Sequence, residues 1–434
     1  MRQSRAKGRG IAAADRKRAP GSLKGKKIVV PRLAYGGARA LVSAFRAIGL
    51  DADITPPSDH RTLELGGRYT GGDECYPAKI TIGDFFKVLE EPGADPSKIV
   101  FFMVTAGGPC RFGQYAPYLR RMLDEHGYHL TGILSPAAEN GYEGLEALAT
   151  PFMRTGWRAL VAADILQKLL LKYRPFEQTP GEIDRVYEAC LDDLCGTIER
   201  SRLTAPSQLG AIREALIRGR DRFRGVPIRP DDARPRIGVV GEIFCRLNTF
   251  SNDDVLRKLE QCGGEGWLSD VSEWLWYTNS DQFRLLKLER RMFSREALGA
   301  WVRWRVQRRD EHALLKPFHE EFAGYEEPDI REVLELARPY LPADGALGEM
   351  VLNVGKAAYL AKKGVDGVID ISPFTCMNGI VSEAIYPRLS KDLGGIPIRN
   401  LYFDGTETDL ERDLGVFLEL ARTYRRKRVV GSRP

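Results

Sequence analysis

One pattern, met twice, most constrains what this chain can fold into: short apolar runs separated by stretches whose apolar residues recur at helical intervals. In the N-terminal part, 26–30 reads as a strand, 38–48 as a helix stopped by Gly49, and 51–54 as the next strand. A helix at 80–89, a buried strand at 99–104, a helix at 116–125 and a strand at 130–134 complete that series. Towards the C-terminus, strands at 236–240, 367–371 and 396–403 alternate with helices at 253–260, 350–362, 380–392 and 409–421. A strand that returns by way of a helix pairs in parallel, and a parallel sheet needs cover on both faces. The class expected is therefore α/β with two parallel-sheet domains.

Between the two series, 159–171, 182–200 and 209–223 carry helical spacing with almost no strand signal, which predicts a helical bridge. The expected organisation is a basic tail at 1–24, an N-terminal domain at 25–150, a bridge at 151–234, a C-terminal domain at 235–425 and a second basic tail at 426–434. The C-terminal domain carries a helical insertion, 267–315, that holds five of the six tryptophans and many arginines. Its tryptophans read as helix packing. Its arginines, among them Arg290, Arg291, Arg303, Arg305, Arg308 and Arg309, read as a solvated face or a partner surface. Two stretches read as loops: the Gly-rich 66–72 and 242–250.

The net charge of +6 resides at the ends, since 1–24 holds eight Lys or Arg against Asp15 alone. These ends read as solvated tails, and with no zinc-finger spacing or RNA-binding aromatic motif a nucleic-acid partner is not expected. No run approaches the ~18 apolar residues of a membrane helix, and no apolar leader opens the chain. No membrane partner and a cytoplasmic location are expected.

Gly355-Lys356 lacks the upstream glycine of a phosphate loop, the five histidines form no metal spacing, and there is no Gly-x-Ser-x-Gly elbow. The informative residues are cysteines. Cys75 follows the Gly-rich stretch in Asp73-Glu74-Cys75-Tyr76-Pro77. Cys110 lies between a buried strand and a helix, and Cys376 lies just past another strand, in Ser372-Pro373-Phe374-Thr375-Cys376. Ligands of α/β domains bind at that end of the strands. Helix N-termini there would favour thiolates, and soft thiolates suit iron–sulfur iron. Small buried thiols, a redox or nucleophilic thiol and metal ligands all remain open readings. Cys190, Cys195 and Cys262 look structural, while Cys245, after a strand, is a reserve fourth ligand.

The blocks GGDECYPAKITIGDFFKVLE at 71–90, FFMVTAGGPCRFGQYAPYLRRML at 101–123, RIGVVGEIFCRLNTFSNDDVLRKLE at 236–260 and GVIDISPFTCMNGIVSEAIYP at 367–387 resemble the 2-hydroxyacyl-CoA dehydratase superfamily. The likeness is greatest to the dehydratase-like region of acyl-CoA dehydratase activase-related proteins. The resemblance implies two Rossmann-like domains with a [4Fe–4S] cluster in the interdomain cleft, held by Cys75, Cys110 and Cys376. It also implies a separate ATPase activator that injects low-potential electrons, a homologous second subunit or a homodimer, and an acyl-CoA or other small-molecule substrate. Asp73, Glu74 and Glu242 are the candidate proton-transfer groups, and Arg111 a candidate for pairing with substrate or with Glu74.

The function expected is that of a [4Fe–4S] redox protein supporting radical dehydration of a 2-hydroxyacyl-CoA. ATP-driven reduction of another small molecule, electron transfer or maturation for another enzyme, and a cluster-free α/β binding protein are the alternatives.

Overall fold

Isolated strands of three to seven residues cannot bury their own backbone, so the architecture follows from how they pair. In a computed structural model, residues 23–105, 110–136, 144–200, 205–231, 233–342 and 348–431 are described. Most of the N-terminal basic tail and Gly107-Gly108-Pro109 before Cys110 lie outside them.

The first domain runs β1 (Lys27–Val30), α1 (Tyr35–Ala47), β2 (Asp51–Ile54), α2 (His60–Tyr69), α3 (Tyr76–Leu89), β3 (Ile99–Phe102), α4 (Tyr115–Glu125) and β4 (Gly132–Leu134). Its sheet is wholly parallel in the order β2-β1-β3-β4. The period of two sorts its side chains. Ile28, Val30, Val100 and Phe102 enter one core with Phe45 and Phe152, while Val29, Ile99 and Phe101 enter the other with Phe85, Phe86 and Leu119.

Three helices follow: α5 (Ala149–Tyr173), α6 (Glu182–Arg200) and α7 (Ala205–Arg224). The second domain contains β5 (Arg236–Gly241), α8 (Ile243–Leu247), α9 (Val255–Gln261), β6 (Glu265–Leu268), α10 (Val271–Leu288), α11 (Arg295–Leu315), α12 (Ile330–Ala337), α13 (Glu349–Lys362), β7 (Gly367–Pro373), α14 (Met377–Asp392), β8 (Ile398–Phe403) and α15 (Leu410–Gly431). Its parallel sheet has the order β6-β5-β7-β8. The chain is thus α/β with two four-stranded parallel sheets, each covered by helices. No helix among the described residues is long and apolar enough to cross a membrane.

Helix α5 joins the domains. Its apolar residues fill the first core, and Leu171 reaches the second, where Tyr76 and Ile80 of α3 also pack. Its polar residues meet partners from the second domain. Arg158 Nε lies 2.6 Å from Asp310 Oδ2, and Lys168 Nζ lies 3.2 Å from Asp270 and 2.8 Å from Glu327. Lys356 of α13 binds the same Glu327 and stands 3.2 Å from Glu273.

Four expectations are corrected. The stretch 66–72 is not all loop: α2 runs through Gly66 and Gly67, its start fixed by Asp59, which accepts from Thr62 N at 3.0 Å while Thr62 Oγ1 accepts from Asp59 N at 3.1 Å. Gly66 and Gly83 serve packing. A Cβ on Gly83 would lie 2.0 Å from Thr62 O, and one on Gly66 would lie 2.3 Å from Lys79 O, so α2 and α3 touch backbone to backbone. The stretch 242–250 contains α8, capped by Glu242, and the supposed all-helical insertion begins inside strand β6. The C-terminal residues 426–431 belong to α15, because its arginines find backbone partners. Arg425 donates to Arg234 O at 2.8 Å, and Arg428 donates to Val365 O and Gly364 O at 3.0 Å each.

Gly83→Ala is expected to destabilise the protein by about 1–3 kcal/mol through overpacking at α2–α3. Gly67→Ala, whose Cβ meets nothing within 4 Å, is expected to leave the urea midpoint unchanged or raised.

Candidate functional site

Strand order reverses between β1 and β3 and again between β5 and β7, which opens a crevice beyond the carboxyl ends of both sheets. Four residues there occupy one kind of position. Cys75 precedes α3, Cys110 precedes the 3₁₀ turn Arg111–Gln114 leading into α4, Glu242 precedes α8 and Cys376 precedes α14. Their backbones nearly coincide, with φ/ψ of −68°/153°, −68°/136°, −62°/131° and −67°/123° in that order. Glu242 caps its own helix, accepting from Phe244 N at 3.1 Å and Cys245 N at 2.7 Å. None of the three cysteine sulfurs serves as such a cap.

Arg111 draws the three cysteine loops together. It follows Cys110 directly, and its guanidinium donates to Asp73 O at 2.9 Å, two residues before Cys75, and to Thr375 O at 3.2 Å, next to Cys376. Thr375 sits at φ +62°, a left-handed conformation that a β-branched residue keeps only where its surroundings hold it. Gly241 positions Glu242. At φ +128° its missing Cβ would fall 2.1 Å from Ile371 O, so β5 turns beside β7 only with glycine there. Tyr115, buried on α4, brings its hydroxyl to 2.5 Å from Cys75 Sγ.

In the metal-free protein, burial works against thiolates at these helix N-termini. Burial pushes the Cys75 and Cys110 thiols up, and burial together with Glu242 pushes Cys376 up to about 12. The Glu242 charge contributes to the upward shift of all three. Desolvation and a close negative charge outweigh the helix termini. A bound cationic centre would reverse that balance, since coordination deprotonates a thiol.

The carboxylates divide. Burial pushes Glu74 up, but hydrogen bonds from Tyr118, Gly71 N and Gly72 N outweigh it and hold the group below its ordinary range. Glu74 is a clasp for its own loop, and Arg111 takes the Asp73 carbonyl, not Glu74. Asp73 is exposed. Glu242 is raised by burial.

Sequence reasoning missed Glu349, whose Oε1 accepts from Ile243 N at 2.9 Å and whose carboxyl burial and Glu242 push well up. It also missed Arg246, buried, whose charge acts on Glu242, Glu349 and Asp370. Both lie beside helix ends where the pattern alone gives no signal. Cys245 is fully buried in the second core among β5 and β7 side chains, and Cys190 and Cys195 lie in the first core.

Among the described residues, no three His, Cys, Asp or Glu side chains gather tightly enough for a single metal ion. The three thiols stand at three helix starts, on loops that Arg111 links. A cavity of about 290 Å³ opens between the domains, lined by Tyr35 to Gly37, Lys168, Lys172, Arg246 and Asp270 among others, and none of the three cysteines lines it.

Arg111→Met is expected to release the three loops without unfolding the protein. In metal-free protein, maleimide labelling of Cys75 and Cys376 should accelerate severalfold at an unchanged melting temperature. Unchanged labelling would show that the loops hold without the guanidinium.

The chain matches no protein-family model and no curated protein.

Proposed function

We propose that this chain is a redox protein of the 2-hydroxyacyl-CoA dehydratase-like class, holding a [4Fe–4S] cluster on Cys75, Cys110 and Cys376 and taking low-potential electrons from a separate ATPase. The observation that carries this reading is the equivalence of the three cysteines: the same backbone at three helix starts, with Arg111 bonded to the loops of the other two. Such a cluster supplies, when bound, one-electron chemistry and an iron open to a substrate oxygen.

The remaining roles belong to side chains. Tyr115 orients the Cys75 sulfur. Burial favours the neutral forms of Glu242 and Glu349, which suits each to hold a proton beside the thiols during loss of water from a 2-hydroxyacyl thioester. Arg246 offers a cation to an anionic group in the interdomain cavity, whose size suits the acyl end of a CoA ester better than the whole molecule. The separate ATPase is what the family resemblance implies, and the chain's own Gly-Lys pair offers no phosphate loop. Gly355 and Lys356 lie inside α13, with Lys356 bound to Glu273 and Glu327. Phe374, Met377 and Ile380 form an exposed apolar rim beside Cys376 that suits a docking donor.

Anaerobically purified protein should carry about four irons per chain and a broad visible absorption that dithionite bleaches. Cys75→Ser, Cys110→Ser and Cys376→Ser should each lose most of the iron, while Cys190→Ser and Cys262→Ser keep it. Full iron in all three site variants overturns the assignment.

Cluster reduction by a low-potential reductant should require both the cognate ATPase and ATP. Reduction at the same rate without the ATPase would remove the partner from the proposal.

A further inference from the structure

The second domain carries an arm. Helices α10 and α11 are anchored at their body ends, where Trp276 Nε1 donates to Glu311 at 2.8 Å and Asp310 and Leu314 are buried. Their far halves pack on each other through a small cluster of Leu286, Ala297, Ala300 and Phe283. The end of this arm exposes what a water-facing surface ordinarily hides. Leu285 and Leu288 on α10, Met292 and the fully exposed Phe293 in the turn, and Leu298, Trp301 and Val302 on α11 make up seven of the thirteen large exposed apolar side chains among the described residues. Scattered exposed apolar residues need no explanation, but a contiguous group does.

The charge of the arm says what covers it. Residues 284–309 hold nine Arg or Lys against Glu289 and Glu296. Arg291 is paired with both of those glutamates. Lys287, Arg290, Arg295, Arg305 and Arg309 form no ion pair among the described residues, and Arg305 lies over the Trp301 ring at 5.4 Å. The occupant must therefore offer negative charge around an apolar interior. A symmetric pairing of two arms would set one cationic ring against another. A protein partner would need a preformed pit for a tip that projects beyond both helices. An anionic bilayer meets both demands without one, because acyl chains adapt to a projecting tip while headgroups meet the cations. Leu, Phe and Trp flanked by Arg and Lys are the side chains that suit the membrane interface.

We propose that the α10–α11 arm is a membrane-surface anchor whose tip, Phe293 and its neighbours, inserts among the lipids of an anionic leaflet. The arm does not cross the bilayer, and the inference is independent of the cluster.

Flotation of the full-length protein with vesicles tests it, comparing phosphatidylcholine alone with phosphatidylcholine containing about a third phosphatidylglycerol. The protein should float with the anionic vesicles at low salt and remain behind with the neutral ones. The Leu288→Ser/Phe293→Ser double variant should bind at least about tenfold more weakly, and Arg290→Glu/Arg295→Glu should lose binding as well. All four side chains are solvent-facing, and unchanged circular dichroism verifies the fold. No flotation with anionic vesicles overturns the proposal. Full binding by the serine variant overturns insertion, leaving charge alone. A wild-type oligomer that the serine variant dissociates, with no vesicle binding, assigns the patch to self-association and overturns it too.

Discussion

A helix with almost no solvent face holds this molecule together. Helix α5 is buried along both its apolar and its polar sides, so each charged group on it must find a partner inside the protein. Lys168 finds Asp270 and Glu327, and Glu327 is shared with Lys356 from the opposite side. The two ammonium groups outweigh burial and hold the Glu327 carboxyl down to about 2, while burial and the neighbouring Glu327 push Asp270 well up. Losing one member of such a buried group costs about 3–5 kcal/mol, because the others are left uncompensated. The network therefore fixes where the second domain sits on the bridge as well as adding to stability.

That placement sets the geometry of the crevice. With α5 holding the domains, the carboxyl ends of the strands face a common space, and loops from both sheets meet through Arg111. Asn248 adds a second stitch, its Nδ2 donating to Arg32 O at 2.8 Å. Three thiols and two carboxyls are all driven towards their neutral forms by burial and by one another. Such a surrounding is costly for free thiolates and receptive to a cationic centre.

The sequence told most where period and length agreed. The alternation of short apolar runs with helical stretches was legible because parallel strands buried on both faces are nearly all apolar, as in Ile99–Phe102. The positions of Cys75, Cys110 and Cys376 before helices were legible from flanking Pro, Gly and strand ends. What escaped depended on contacts. Gly66 and Gly67 look like a turn until Lys79 of α3 is seen to lie against Gly66. Strand β6 contains Gly266 and Trp267 and, among the described residues, pairs only with β5, so its four residues carry little strand signal of their own. The basic run through Arg428 looks solvated because the carbonyls it binds, Gly364 and Val365, are far away in the chain. Glu349 and Arg246 acquire their meaning only from each other and from Glu242.

The order of strands in the second sheet also governs the order of assembly. Ile237 pairs with Gly367, about 130 residues later, and the arm lies in the interval. As the chain leaves the ribosome, the first sheet and its helices can close while β5 and β6 wait with an open edge. Closure then awaits β7, after which α14 and β8 follow. Two of the three thiols are thus synthesised well before the third, although the larger core of the first domain is completed only by Leu314, Phe318 and Phe322.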